Sequence, residues 1–344
     1  MAPSRVLRNG IILFGLWTFS RGGLTVPEAM GALALAEGAH LGVQILAYLR
    51  ARRNLKETGG REGELLKRFL KFSFISQVHS AVGSFFSGSA DILFLSASAG
   101  PVAVSFYSLA ANVHNAAAKV FPVNLLREVV SPVLINTYVQ RGNKEELVVG
   151  FNFFLKLFLL VEIPIVALFW ALGGSVLPWA FGSDYSGAWL ALAVFAAYQV
   201  SGSFIKLLNI LATAVEKPQY LLAGRVFSVY NLLADLLFIP LWGLWGAFLA
   251  TGSALWGLVF FLWFALRRDL PLRLHWLGLL VISLNSLAAG FVAWSLSWLA
   301  KGILGLLGVL IVFALVYCGL SRVLNPFTPP ERRLFKELFG IKLF

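Results

Sequence analysis

Residues 150–171 read GFNFFLKLFLLVEIPIVALFWA, and in these twenty-two positions only Lys156 and Glu162 carry charge. Such a run matches the roughly 20 apolar residues that cross a hydrocarbon core about 30 Å thick. Working outward, comparable runs lie near 9–20, 28–49, 72–97, 102–122, 187–213, 220–240, 244–266, 275–298 and 302–322. The first is short. A lipid-exposed backbone must satisfy its own hydrogen bonds, which makes each run a helix. The pattern predicts an all-α fold, a polytopic integral membrane helical bundle with about ten transmembrane helices.

Composition supports the same class. Apolar residues make up 59% of the 344 positions and DEKR 13%, against about 25% charge in a soluble domain. Lys and Arg outnumber Asp and Glu by 28 to 16, a net charge of +12. Such an excess fits nucleic acid or a membrane surface. Here the basic residues flank apolar spans, so the sequence points to membrane lipids and to no nucleic acid. Cys318 is the only cysteine, and His40, His79, His114 and His275 are scattered. Neither a disulfide nor a Cys/His metal site is expected, no cofactor is indicated, and no nucleotide-binding or nucleophile-elbow motif occurs. The expected class is a non-enzyme with no catalytic residues.

Orientation follows from Lys and Arg in short loops. The segment 50–71 is strongly basic. Arg141 and Lys144, Lys217, then Arg267, Arg268 and Arg273 mark further basic turns, and Arg322, Arg332, Arg333, Lys336 and Lys342 mark the tail. The alternate connections, 97–101, 173–185 and 241–243, lack Lys and Arg. Both termini are therefore expected in the cytoplasm of a cell with this protein in its inner (cytoplasmic) membrane. The tail 329–344 alternates Arg and Lys with Leu and Phe, which fits either a surface amphipathic helix or a solvated end. Trp242, Trp245, Trp276 and Trp298 fall near span ends, as interfacial belt residues do.

Four spans carry polar seams at helical spacing. Ser73, Ser76, Gln77, Ser80, Ser84, Ser87 and Asp91 form one, and Ser105, Ser108, Asn112, Asn115 and Lys119 a second. Gln199, Ser203, Lys206, Asn209 and Thr213 form a third, and Arg225, Ser228, Asn231 and Asp235 a fourth. Small polar residues can simply let helices pack closely. An ionisable group at mid-membrane costs at least ~2.5–3.5 kcal/mol, so those in the seams are expected to face a cavity or to pair. Lys206 is the expected deep charge, and a cavity holding Lys and Arg suits an anionic ligand such as a diphosphate. Glu162, two residues before Pro164, is either a proton or cation site or a partner of Lys156 or another neighbour. Glu37 and His40, one turn apart, read as a hydrogen-bonded pair.

Several stretches, taken in order, resemble the second half of the multidrug/oligosaccharidyl-lipid/polysaccharide flippase superfamily, nearest its O-antigen and lipid-linked oligosaccharide flippases. They are the basic linker before Asp91, Val104-Ser-Phe-Tyr107-Ser-Leu-Ala-Ala-Asn112, and Ser131-Pro132 as the end of that helix. Phe181-Gly-Ser-Asp-Tyr185-Ser-Gly-Ala188 and the hairpin NLLADLLFIPLWGLWGAFLAT, residues 231–251, follow. The resemblance implies that the ten spans correspond to helices five to fourteen of a fourteen-helix protein, with the first four missing. It divides the chain into 1–50, a remnant of a first bundle; 51–71, a basic linker; 72–266, a second six-helix bundle; and 267–344, two extra spans and the tail.

By resemblance the protein is a flippase moving a polyprenyl-diphosphate-linked oligosaccharide between leaflets for cell-surface polysaccharide synthesis. A polysaccharide polymerase and glycosyltransferases are the implied protein partners. Lys206, Lys119 and Arg225 would attract the diphosphate or acidic sugar. Asp91, Asn112, Asn209, Asn231 and Asp235 would line the cavity, bond sugar hydroxyls or switch partners, and Glu162 is the candidate for ion coupling. The alternatives are a cation-coupled multidrug exporter of the same superfamily and a non-transporting scaffold for polysaccharide assembly.

Overall fold

The computed structural model describes residues 89–120, 130–135, 138, 142–300 and 302–339, with two isolated positions, 38 and 42. The chain divides into two compact units, Met1–Leu70 and Lys71–Phe344. Apart from 38 and 42, the described residues belong to the second. The expected spans at 9–20 and 28–49, the Glu37–His40 pair, the linker 51–71, His79 and the seam from Ser73 to Ser87 lie outside the described residues.

Every described element is helical. The order is α1 (Ser89–Ser98), α2 (Gly100–Val120), α3 (Lys144–Phe181), α4 (Ala188–Gln199), α5 (Ser201–Ala214), α6 (Pro218–Ala223), α7 (Val226–Trp242), α8 (Leu244–Leu266), α9 (Trp276–Ser295), α10 (Ile303–Val323) and α11 (Pro329–Phe339). Six stretches among the described residues are long and apolar enough to cross a membrane: α3, α4 with α5, α6 with α7, α8, α9 and α10. Residues 130–135 are also helical. Ser131 and Pro132 therefore sit within helix and do not end it.

α3 starts earlier and ends later than its apolar run. Asn143 caps it, its Oδ1 accepting from Glu145 N at 2.9 Å, and Glu145 and Glu146 in the first turn suit the positive end of the helix dipole. At 1.5 Å per residue, its 38 residues reach about 57 Å, well beyond the hydrocarbon core. Pro164 lacks the N–H that would answer the Leu160 carbonyl. Tyr317 of α10 supplies it, its hydroxyl donating to Leu160 O at 2.9 Å. That bond ties α10 to α3 beside Pro164.

The remaining helices run up and down. α4–α5 returns from the turn 183–187, and the hairpin α7–α8 pivots on Gly243, whose φ of +55° favours glycine. A Cβ at Gly246 would strike the Phe238 backbone, so the hairpin packs at glycine distance. The turns after α5 and α8 meet at one end, where Lys217 Nζ lies 3.4 Å from Asp269 and Tyr220 donates to Asp269 at 2.8 Å. This end also carries the start of α3 and the tail helix, and is called the basic end below.

Two clusters fill the interior of the described helices. At the basic end Phe151, Phe154 and Phe158 of α3 pack with Leu207, Leu208 and Leu211 of α5 and Leu262 and Leu266 of α8. Toward the other end Tyr107, Phe195 and Phe248 pack among alanines, including Ala188, Ala191 and Ala247. A third cluster, Ala167, Ala171, Ala289, Ala293 and Phe313, fastens α9 and α10 to α3. Trp242, Trp245, Trp276 and Trp298 are all exposed near helix ends. The tail is helical, with Leu334 and Phe335 packed against the basic-end cluster and Arg332, Arg333 and Lys336 exposed.

Candidate functional site

Asp91 lies on α1 and is only 1% exposed. Its Oδ2 accepts from the hydroxyl of Tyr107 on α2, and from Thr251 Oγ1 on α8 at 3.0 Å. Asp235 on α7 is 0% exposed, and its Oδ2 accepts from Asn231 Nδ2, one turn earlier, at 3.4 Å. The two carboxyls lie within hydrogen-bonding reach of each other. Four helices thus deliver side chains to one buried spot.

The two carboxyls share a pattern. Each has one oxygen held by a donor, while Asp91 Oδ1, Asp235 Oδ1 and Asn231 Oδ1 are buried with no hydrogen-bond partner. Aromatic rings enclose them: Tyr107 stacks on Phe248 at 5.6 Å and meets Phe195 edge-on at 5.7 Å, and Tyr198 lies 5.0 Å from Phe195. Two adjacent carboxylates in so poor a solvent repel strongly. A proton between them, or a cation taking up the open oxygens, turns that repulsion into attraction. Carboxylate and amide oxygens are hard donors, the kind that hold a proton or a hard metal cation. Among the described residues no group of three or more His, Cys, Asp or Glu is placed to hold a metal ion.

Of the candidates read from the seams, the structure joins Asp91, Asn231 and Asp235. Asn112 is exposed on α2, and Lys119 lies on the same helix with its side chain outside the described residues. Lys206 is exposed on α5, Asn209 is half-buried on the same helix, and Arg225 is half-buried just before α7. Glu162 does not pair with Lys156. It accepts from Ser203 Oγ at 2.8 Å, whereas Lys156 binds Glu331 in the tail at 2.7 Å. Tyr107 and Thr251 were not singled out from sequence, although both stand in the stretches quoted for the family resemblance.

Fold and site together define a class: a multi-pass helical membrane bundle with a buried, uncompensated carboxyl pair. The solved structure of the lipid II flippase MurJ, in an inward closed conformation, shares this fold. The match has a TM-score of 0.52 at 19% identity and covers 97% of this chain and 67% of that one. No protein-family model matches the sequence, and neither does any curated protein.

Proposed function

We propose that this protein is a cation-coupled flippase for a lipid-linked substrate. The observation that carries the reading is the Asp91–Asp235 pair, buried where α1, α2, α7 and α8 meet, with an open oxygen on each carboxyl. A charge of this kind is costly in a membrane. It is tolerable if a cation binds in one conformation and leaves in another, which is how an ion gradient biases an alternating-access equilibrium. The fold shared with a lipid II flippase supports a lipid-linked substrate. The family resemblance of the sequence narrows that to a polyprenyl-diphosphate-linked oligosaccharide. Lys206, Lys119 and Arg225 then attract the diphosphate, Asn112 and Asn209 meet sugar hydroxyls, and Asp91, Asn231 and Asp235 bind the coupling cation. The positive-inside rule supports a basic end facing the cytoplasm, and with it both termini on the cytoplasmic side of a cell's inner membrane.

One observation favours a multidrug exporter: the carboxyls sit among aromatic rings, as a site for cationic drugs would. At 1% and 0% exposure, however, they hold an ion and admit no drug-sized molecule.

The test is transport of a fluorescent polyprenyl-diphosphate oligosaccharide in proteoliposomes carrying the full chain, with proton or Na⁺ gradients imposed. A gradient should accelerate flipping, and Asp91→Asn or Asp235→Asn should abolish that acceleration. Equal rates with and without gradients would end the coupling claim. A protein that supports polysaccharide assembly in cells with both aspartates replaced would be a scaffold instead.

A further inference from the structure

Lys156, in the half of α3 nearest the basic end, is 1% exposed, and all three of its ammonium hydrogens are engaged. Nζ donates to Glu331 Oε1 at 2.9 Å and Oε2 at 2.7 Å, and lies 3.0 Å from His275 Nδ1. Glu331 is itself 2% exposed, and its Oε2 also accepts from Thr328 N at 2.7 Å, closing the first turn of α11. Asn152, one turn before Lys156, donates to Arg273 O at 2.8 Å and accepts from His275 N at 3.1 Å. Phe153 packs on Phe327 and Phe335 of the tail. A Cβ at Gly278 would meet Lys156 Cε, His275 Nδ1 and Pro326 O, so only glycine fits beside the knot. Three separate parts of the chain are tied there: α3, the entry to α9, and the tail helix.

The weak point is His275. Its Nδ1 faces two donors, Lys156 Nζ and Gly278 N at 3.2 Å, so the neutral ring must carry its proton on Nε2. A second proton can enter only at Nδ1. There it removes the acceptor that caps α9 and sets a positive charge against the Lys156 ammonium. The charged groups facing His275 are Lys156 from α3 and Glu331 from α11. Burial, and then Lys156, hold the imidazole below its ordinary value of 6.5, with Glu331 acting in the opposite sense. The stability this group contributes is therefore complete above the ordinary value and is lost as pH falls through the depressed one.

We propose that the Lys156–Glu331–His275 knot is a proton-released strap, which holds the tail helix on α3 while His275 is neutral and frees it when His275 is protonated. Release uncovers the apolar face of Leu334 and Phe335 and unfastens the entry to α9 from α3. This inference is independent of the flippase reading, since it concerns only the tail and its anchorage.

Hydrogen–deuterium exchange of residues 326–339 in the full chain, in lipid nanodiscs and corrected for intrinsic rates, tests it. Between about pH 8 and about pH 5 the wild-type protection should fall at least about tenfold, while the hairpin 226–266 stays protected. His275→Gln keeps an acceptor for Lys156 but cannot titrate, and should hold the tail at both pH values. Glu331→Gln should loosen it at both. Acid-insensitive wild-type protection would overturn the proposal without recourse to any variant. So would an equal acid response in His275→Gln, or a Glu331→Gln tail as protected as wild type.

Discussion

At Lys156 every hydrogen is answered, and the positive charge is met by the carboxylate of Glu331 within 2.7 Å. At Asp91 and Asp235, in the same bundle and equally buried, two carboxyls adjoin, and three oxygens, one of them on Asn231, are left without donors. Burial is common to both regions, so it cannot be what separates them. The distinction is the balance of charge and the completeness of hydrogen bonding. While His275 is neutral, a compensated cluster of this kind needs nothing further and holds elements together. An uncompensated one is completed by something from outside the chain, and this is why the carboxyl pair rather than the ion pair reads as the working site.

The two clusters should answer neutralisation with opposite signs, and the largest effect belongs to the knot. Glu331→Gln leaves the Lys156 ammonium buried without its counter-charge, a loss of ~3–5 kcal/mol. Thermal unfolding in detergent measures it. Replacing both partners together, Lys156→Met with Glu331→Leu, should restore stability to within about 1 kcal/mol of wild type, because apolar side chains fill the same space. A Glu331→Gln protein losing less than about 1 kcal/mol would mean that the pair is hydrated, and the contrast would collapse.

The next effect runs the other way. Asp235→Asn removes a repulsion and leaves an amide able to donate to Asp91, so the unliganded protein should be as stable as wild type or more so. What it loses is the response to ligand. Saturating cation should raise wild-type stability by about 1–3 kcal/mol and leave Asp235→Asn unmoved. Titrating Na⁺ and pH separately while following the unfolding midpoint also identifies the cation. A variant that is destabilised, yet still responds to cation, would make Asp235 a structural residue.

How much of this was legible beforehand differs sharply between the regions. The hairpin was read almost to the residue, 220–240 and 244–266 against Pro218–Trp242 and Leu244–Leu266, because glycine and proline punctuate it. α3 was read short at both ends, as 150–171 within Lys144–Phe181. Its first turn is polar for capping and lies outside the apolar window, so Asn143, Glu145 and Glu146 looked like a loop. Seam spacing singled out Asp91, Asn231 and Asp235 individually. It could not bring them together, since helical periodicity orients a residue about its own axis and says nothing of the neighbouring helix. The knot was hidden for a stronger form of the same reason: Lys156 and Glu331 are 175 residues apart. A lysine in an apolar run suggests a local partner, Glu162, whereas the actual partner comes from a tail that by sequence could equally have been solvated.

The finest comparison lies within the carboxyl site, between two hydroxyls donating to the same oxygen. Tyr107 and Thr251 both hold Asp91 Oδ2, leaving Oδ1 free for a cation. The phenol is the more rigidly placed of the two, stacked on Phe248 and met edge-on by Phe195. The threonine rotor is held at 3.0 Å with fewer constraints. Tyr107→Phe keeps the ring packing and removes only the donor, so it should weaken cation binding about tenfold, or ~1.4 kcal/mol, within the range for hydrogen bonds to charged groups. Thr251→Val, nearly isosteric, should weaken it about threefold. Both are read as shifts in the cation midpoint of the same unfolding assay, with the cation-free midpoint as the control for packing. If Thr251→Val proves the more damaging, the threonine oxygen contributes to the cation directly. The site would then extend from the carboxyl pair onto α8, and the open oxygens of Asp91 and Asp235 would be only part of the ligand set.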